Sequence, residues 1–253
     1  MVQTSLPKLA EIGSAAVFLT RLPVPQSLFK SHFPSLQQSL WAFPLIGLII
    51  GAIGSGAYGL SLILGLSNWL SAIFAITAMV IATGGLHEDG LADLADGFGS
   101  HKGPEEIARI MKDSVIGSYG TLALILMISA KISVIASVPF SALIFLLPFA
   151  CAIGRSFVII AMMTTPLSPY ASLGKSLSKP DVSVFIPALI IACIGAITLP
   201  VGSFLSGIIA AFIAFIILRN LAMRKIQGLT GDVMGALIIL TELSFMIGFI
   251  SHG

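Results

Sequence analysis

The sequence predicts an all-α protein that crosses a membrane several times. Of its 253 residues, 57% are hydrophobic and only 9% are charged, whereas soluble domains carry about 25% charged residues. The mean hydropathy is +1.05, and several apolar runs approach or exceed the roughly 20 residues that a helix needs to cross a bilayer. We therefore expect residues 1–253 to form a single integral membrane domain, a polytopic bundle of transmembrane helices.

The first apolar segment is too interrupted to be a span. Glu11 lies within the stretch from about Lys8 to Thr20, and Pro23 and Pro25 follow without a convincing cleavage site. A helix of this kind lies in the membrane interface and does not cross the bilayer. We predict an N-terminal amphipathic or half-inserted helix.

About seven further apolar runs are candidate transmembrane helices. Their predicted bounds are Leu40–Gly65, Asn68–Thr83, Gly120–Ser137, Phe140–Thr164, Val184–Leu199, Ser203–Leu218 and Val233–Ile250. Tight, uncharged turns are predicted at Leu66–Ser67, around Pro139 and around Pro200–Gly202. The other connections are longer and polar, and they comprise residues 84–119, 165–183 and 219–232.

The positions of the basic residues predict the orientation of the bundle. With seven spans, the N-terminal segment and all three polar connections fall on the same side of the membrane. Of the 13 Lys and Arg residues, only Lys131 and Arg155 lie within the predicted spans. Because cytoplasmic loops are enriched in Lys and Arg, we expect the N-terminus and the polar connections to be cytoplasmic.

An aspartate-rich segment, residues 84–97, follows a charge-free run and carries the most specific chemical signal. Asp89, Asp93 and Asp96 have the spacing i, i+4, i+7, which places them within roughly 60° of one another on a helix. Such carboxylates repel one another unless a cation lies between them, and oxygen ligands favour Mg²⁺. The alternative is a solvated helix face; we expect a Mg²⁺ site at a membrane surface.

Two further aspartates precede predicted spans. Asp113, with Ser114, either caps the third span or adds a carboxylate to the site. Asp232 lies in the first turn of the seventh span, where Thr230 is the predicted N-cap and the carboxylate complements the helix dipole. A role in binding metal or substrate is compatible with that position.

Three charged side chains lie inside the predicted spans. Lys131 and Glu242 would reach about the same depth from the cytoplasmic side. Because unpaired charges inside a membrane are costly, we predict that they form an ion pair. Arg155 has no obvious partner in the sequence, and its planar guanidinium suits a substrate phosphate.

Taken in chain order, these motifs resemble the cobalamin synthase family, also called adenosylcobinamide-GDP ribazoletransferase. The resemblance covers essentially the whole chain and is most specific in the aspartate-rich segment. The matching segments are residues 18–25, 43–47, 84–93, 96–97, 111–114 with 117, 130–132, 155, and 230–232 with 235–236.

The resemblance implies an enzyme of the cytoplasmic (inner) membrane that catalyses the last assembly step of vitamin B12. The ribose 3′-hydroxyl of α-ribazole, or of its 5′-phosphate, attacks the phosphate that links cobinamide to GMP in adenosylcobinamide-GDP. GMP leaves, and adenosylcobalamin or its 5′-phosphate forms. The implied cofactor is Mg²⁺ and the implied partners are these substrates and membrane lipid, without nucleic acid. Homo-oligomers or association with other cobalamin-assembly enzymes stay open.

The resemblance also implies roles for individual residues. The implied metal ligands are Asp89, Asp93 and Asp96, the implied acid–base or site-completing residues are Asp113 and Asp232, and the implied phosphate contacts are Lys112 and Arg155. These roles suit phosphoryl transfer, in which catalysis is largely positioning plus neutralisation of phosphate charge.

Three other protein classes use acidic residues in membranes. CDP-alcohol phosphotransferases expect an arginine where Asp93 follows Ala92. Membrane prenyltransferases usually carry two aspartate clusters, and this sequence has one. A divalent-cation transporter would distribute acidic and polar groups through the spans, where this sequence places few. The sequence therefore favours the ribazoletransferase.

Overall fold

The computed structural model describes residues 7–29, 33–171 and 180–251. In these ranges the regular elements are helical, apart from one isolated β-bridge between Leu167 and Leu229. The predicted all-α class is confirmed. The α-helices are α1 (Pro7–Leu19), α2 (Leu36–Ser39), α3 (Phe43–Ile63), α4 (Asn68–Thr83), α5 (Leu86–Gly99), α6 (Pro104–Ile110), α7 (Ser118–Ser137), α8 (Phe140–Thr164), α9 (Ile186–Thr198), α10 (Val201–Ile226) and α11 (Gly231–Ile250).

The structure contains fewer helices that could cross a membrane than the sequence predicts. Five are long and apolar enough among the described residues: α2 continuing into α3, and α7, α8, α10 and α11. Helix α4 meets the criterion only together with α5, from which it is bent by 90°. Its 16 residues extend about 24 Å, whereas a bilayer core is about 30 Å thick. Because α9 is shorter still, the predicted count of seven is not confirmed.

The predicted turns between the apolar runs are present. The Ser67 hydroxyl accepts a hydrogen bond from the backbone of Leu70 and starts α4. Pro139 and Pro200 directly precede α8 and α10, positions at which a missing N–H costs nothing. Each helix pair can therefore reverse direction without a long loop.

Helices α8 and α11 form the centre of the bundle, and α7 and α10 lie at its edge. Of the best 18-residue window in each, 78% is buried in α8 and α11 but only 28% in α7 and 33% in α10. Glycines allow close helix contact: Gly51 packs against the α8 backbone and Gly207 against α11. The exposed faces of α7 and α10 are rich in Leu, Ile and Phe, as expected for surfaces in contact with lipid.

Two glycines turn the chain sharply into the aspartate-rich helix. Gly84 and Gly85 have φ of 67° and 72°, left-handed conformations that favour glycine. The turn lets α5 leave the direction of α4 by 90°. Because α5 carries four acidic residues in 14, it does not belong in the hydrocarbon core. We place it at the membrane surface.

The polar connections meet at the same end of the bundle. The segment after α8 pairs with the segment before α11, through the backbone bonds of Leu229 to Pro166 and of Ser168 to Leu229. The Arg219 guanidinium donates to Thr164 and Thr165 at the end of α8, and Lys225 Nζ donates to the Phe98 carbonyl of α5. The charged regions of the sequence therefore form one polar face.

Candidate active site

Helix α5 crosses the start of α11 at very close range. A Cβ on Gly90 would lie 2.9 Å from the Asp232 carbonyl oxygen, so no side chain fits there without movement. Gly235, one turn along α11, faces the backbone of α5 at His87 and Gly90. This crossing places Asp232 beside the aspartates of α5 and joins two motifs that are far apart in the sequence.

The aspartates of α5 and α11 form a cluster of negative charge. Burial, followed by repulsion from Asp89, Asp232 and Asp96, raises the pKa of Asp93 to about 7. Among the described residues, no group of three or more aspartate, glutamate, histidine or cysteine side chains is arranged so that it could hold a metal ion. The aspartates of α5 and α11 therefore do not form a complete set of metal ligands by themselves.

Asp96 has a second task, at the start of α7. Its carboxylate accepts hydrogen bonds from the backbone N–H groups of Gly117 at 2.7 Å and Gly120 at 2.9 Å. Helix N-termini leave such donors without intrahelical partners, and a carboxylate there also complements the dipole. Asp113 and Ser114 do not cap α7, whose N-cap is Gly117. The cap comes instead from α5, which fixes α7 against the aspartate-rich helix.

Asp113 and Lys112 are both exposed residues between α6 and α7. Asp113 is exposed, and its carboxylate accepts a hydrogen bond from Val115 at 3.2 Å. Lys112 is exposed in an open groove that also contains Arg109 and Tyr170, and it interacts electrostatically with Asp232. Lys112 therefore lies within electrostatic reach of Asp232, whereas the contact of Asp113 is a local one with Val115. The predicted phosphate contact of Lys112 and the predicted catalytic role of Asp113 stay predictions.

Arg155 lies inside the bundle and not in the candidate site. Its residue is 1% exposed, Nη1 donates to the Cys151 carbonyl at 2.9 Å, and the same nitrogen lies 3.8 Å from Glu242 Oε2. The predicted role of Arg155 as a phosphate contact does not fit this burial. The sequence-based prediction pairs Glu242, the acidic residue within the predicted spans, with Lys131, and therefore leaves Arg155 without a partner.

The predicted ion pair between Lys131 and Glu242 is confirmed. Lys131 Nζ lies 2.5 Å from Glu242 Oε1, and both residues are buried. Arg155 is a second cation for the same carboxylate. The three charged side chains therefore form a buried network that joins α7, α8 and α11.

A cavity of about 130 Å³ opens beside the aspartates. Its wall contains Asp89, Asp232 and His87, and the rest is apolar, with contributions from α1, α3, α8 and α11. The sequence pattern did not predict this cavity, because its wall comes from side chains scattered along the chain. The carboxylates therefore lie between this apolar cavity and the polar face of the bundle.

Comparison with known proteins gives a consistent result. Residues 11–250 match the model of the cobalamin-5-phosphate synthase family. An adenosylcobinamide-GDP ribazoletransferase of Bradyrhizobium diazoefficiens is 34% identical, over 95% of this chain and 95% of its own length. Proteins of the same name from Rhizobium johnstonii and Citrobacter koseri are 38% and 33% identical, over 92% of this chain and 94% and 96% of their lengths. No solved structure matches.

Proposed function

The chain belongs to the cobalamin-5-phosphate synthase family, an enzyme family of cobalamin biosynthesis, and we propose that it transfers the adenosylcobinamide-phosphate group from adenosylcobinamide-GDP to α-ribazole or its 5′-phosphate. The ribose 3′-hydroxyl forms a new bond to the phosphorus of the phosphate attached to cobinamide. The bond from that phosphorus to GMP breaks, and GMP leaves with the electron pair. The observation that carries the proposal is the carboxylate cluster on the polar face of a membrane bundle whose sequence matches this family.

The cluster suits Mg²⁺. Its side chains offer only hard oxygen donors. Burial and then repulsion from the neighbouring carboxylates raise the pKa of Asp93, and a cation would offset the repulsion. We assign Asp89 and Asp93 as the protein ligands, because both oxygens of Asp96 already accept backbone hydrogen bonds. Mg²⁺ is commonly held by one or two carboxylates together with substrate phosphates. When bound, it would neutralise charge on the phosphates.

The remaining roles follow from position. Asp232 lies at the crossing of α5 and α11 and borders the apolar cavity, so we assign it to hold the attacking hydroxyl and accept its proton. Lys112 extends into an open groove and interacts with Asp232, so we assign it to the phosphate of the leaving nucleotide. Asp96 positions α7 against α5.

The active site faces the cytoplasm in this proposal, and the enzyme resides in the cytoplasmic membrane. The polar face collects the charged connections after α4, α8 and α10. Basic residues predominate on the cytoplasmic side of membrane proteins. Both substrates would therefore reach the aspartates from the cytoplasm without crossing the bilayer.

The test is an assay of membranes that contain the protein. We expect adenosylcobinamide-GDP, α-ribazole and Mg²⁺ to give equal amounts of GMP and a cobalamin product of the expected mass. Replacing α-ribazole by its 3′-deoxy analogue should abolish both products, because no nucleophile remains. Release of GMP at the same rate without α-ribazole would identify a hydrolase and contradict the transfer.

A further inference from the structure

The apolar cavity beside the aspartates has the size of one small ring system. Its volume is about 130 Å³, below the range of about 300–1,000 Å³ typical of pockets for whole drug-sized ligands. A corrin ring or a complete nucleotide does not fit into it. A flat two-ring heteroaromatic base does.

The wall of the cavity selects against polar bases. Apart from His87, Asp89 and Asp232 it is lined by apolar side chains and glycine, including Phe43 and Met162. Purine bases carry several donors and acceptors around their edges, and burying these groups without partners is unfavourable. A base with an apolar edge and a single acceptor avoids this cost.

One polar group in the wall lacks a partner. His87 is 3% exposed, and its Nε2 has no hydrogen-bond partner among the described residues. A buried polar nitrogen is normally hydrogen-bonded, so this atom is available to a ligand. A ring nitrogen with a lone pair would satisfy it.

We propose that this cavity binds the benzimidazole base of the ribazole substrate, with His87 Nε2–H donating a hydrogen bond to the ring nitrogen that is not attached to ribose. The inference rests on the proposed function and assigns the acceptor subsite of that reaction. With the base in the cavity, the attached ribose lies beside Asp89 and Asp232, which belong to the same wall. The cavity thereby orients the 3′-hydroxyl towards the carboxylates.

The first test changes the size of the cavity. Val158 and Met162 on α8 line it, and Ile144 on the same helix is exposed on the outer surface. We expect M162A to raise kcat/KM for 5,6-diethylbenzimidazole riboside by about tenfold relative to kcat/KM for 5,6-dimethylbenzimidazole riboside, which is α-ribazole. V158F should shift preference by a similar factor towards unsubstituted benzimidazole riboside. I144A should leave the preference unchanged, and KM for adenosylcobinamide-GDP should stay constant in all three.

The second test addresses the hydrogen bond. Indole riboside has the shape of benzimidazole riboside but carries C–H in place of the ring nitrogen. The wild type should prefer benzimidazole over indole riboside by about tenfold. H87F should lose this preference, and H87Q, whose amide retains a donor, should restore part of it. A merely structural role of His87 would lower activity with both ribosides equally.

Binding to the wild type gives a readout that requires neither turnover nor variants. Thermal stabilisation of the detergent-purified protein should rank benzimidazole riboside above indole riboside and both above adenosine. Equal thermal stabilisation by the three compounds would overturn the subsite. The same holds if M162A and V158F leave the base preference unchanged, as expected for a cavity that holds a lipid chain. If the expected ranking appears without any transfer, the subsite stands and the proposed reaction fails.

Discussion

Asp93 is the residue of the cluster most affected by its neighbours. Burial and three nearby carboxylates raise its pKa to about 7, and its replacement by Asn keeps the volume but removes the charge. We expect D93N to reduce transfer by at least about 10³-fold, the scale of losing a principal electrostatic contribution. D113N is the matched control, because Asp113 is exposed and has local contacts. The measurement is the rate of GMP release at saturating Mg²⁺, with near-normal turnover of D93N contradicting the assignment.

The raised pKa of Asp93 also predicts how pH affects the metal-free protein. Because the folded protein holds this proton more tightly than the unfolded chain, the contribution of Asp93 to the free energy of unfolding is largest at low pH. It falls as pH rises from the ordinary value of 3.8 towards about 7. A cation that offsets the repulsion should therefore raise Tm more at pH 8 than at pH 5.5. Thermal unfolding in EDTA and in Mg²⁺ measures both effects, and a Mg²⁺ effect independent of pH would count against a cation at Asp93.

At the scale of helices, the buried network of Lys131, Arg155 and Glu242 ties α7 and α8 to α11. Breaking a buried pair costs about 3–5 kcal/mol, whereas removing both partners costs less. E242Q leaves two cations unpaired, so we expect it to lower folded yield more than K131M, whose Glu242 keeps Arg155. The K131M/E242Q double variant should be more stable than the E242Q single variant. Size-exclusion profiles and Tm in detergent test the order, and additive losses would show that the residues are not partners.

The same scale shows which features the sequence could predict. Helix bounds followed from local signals, since Ser67, Pro139 and Pro200 mark helix starts and Thr230 caps α11 as predicted. The pairing of Lys131 with Glu242 was predicted because both residues lie at about the same depth in the membrane, and the structure contains that pair.

Other features depended on tertiary contacts that no local pattern records. Asp96 caps a helix that begins 22 residues later, and Arg155 binds a carboxylate on another helix. The 90° bend between α4 and α5 at Gly84 and Gly85 was likewise not predicted. The wall of the cavity beside Asp89 comes from six helices, α1, α2, α3, α5, α8 and α11.

At the scale of the whole molecule, the charged connections share one face, and its orientation is open to a direct test. We predict that this face is cytoplasmic, because it carries most of the Lys and Arg residues. In a variant lacking Cys151 and Cys193, single cysteines replacing the exposed Lys102 and Arg224 should react with an impermeant maleimide only after the membrane is opened. Labelling of either position in intact cells would contradict the orientation.

The most direct test of the carboxylate cluster is the binding of Mn²⁺, a paramagnetic substitute for Mg²⁺, to the detergent-purified protein. Electron paramagnetic resonance measures free Mn²⁺ and therefore the amount bound per chain. We predict saturable binding by the wild type that Mg²⁺ displaces, unchanged binding by D113N, and loss of that binding in the D89N/D93N double variant. Equal Mn²⁺ binding by the wild type and the double variant would contradict a cation site at Asp89 and Asp93.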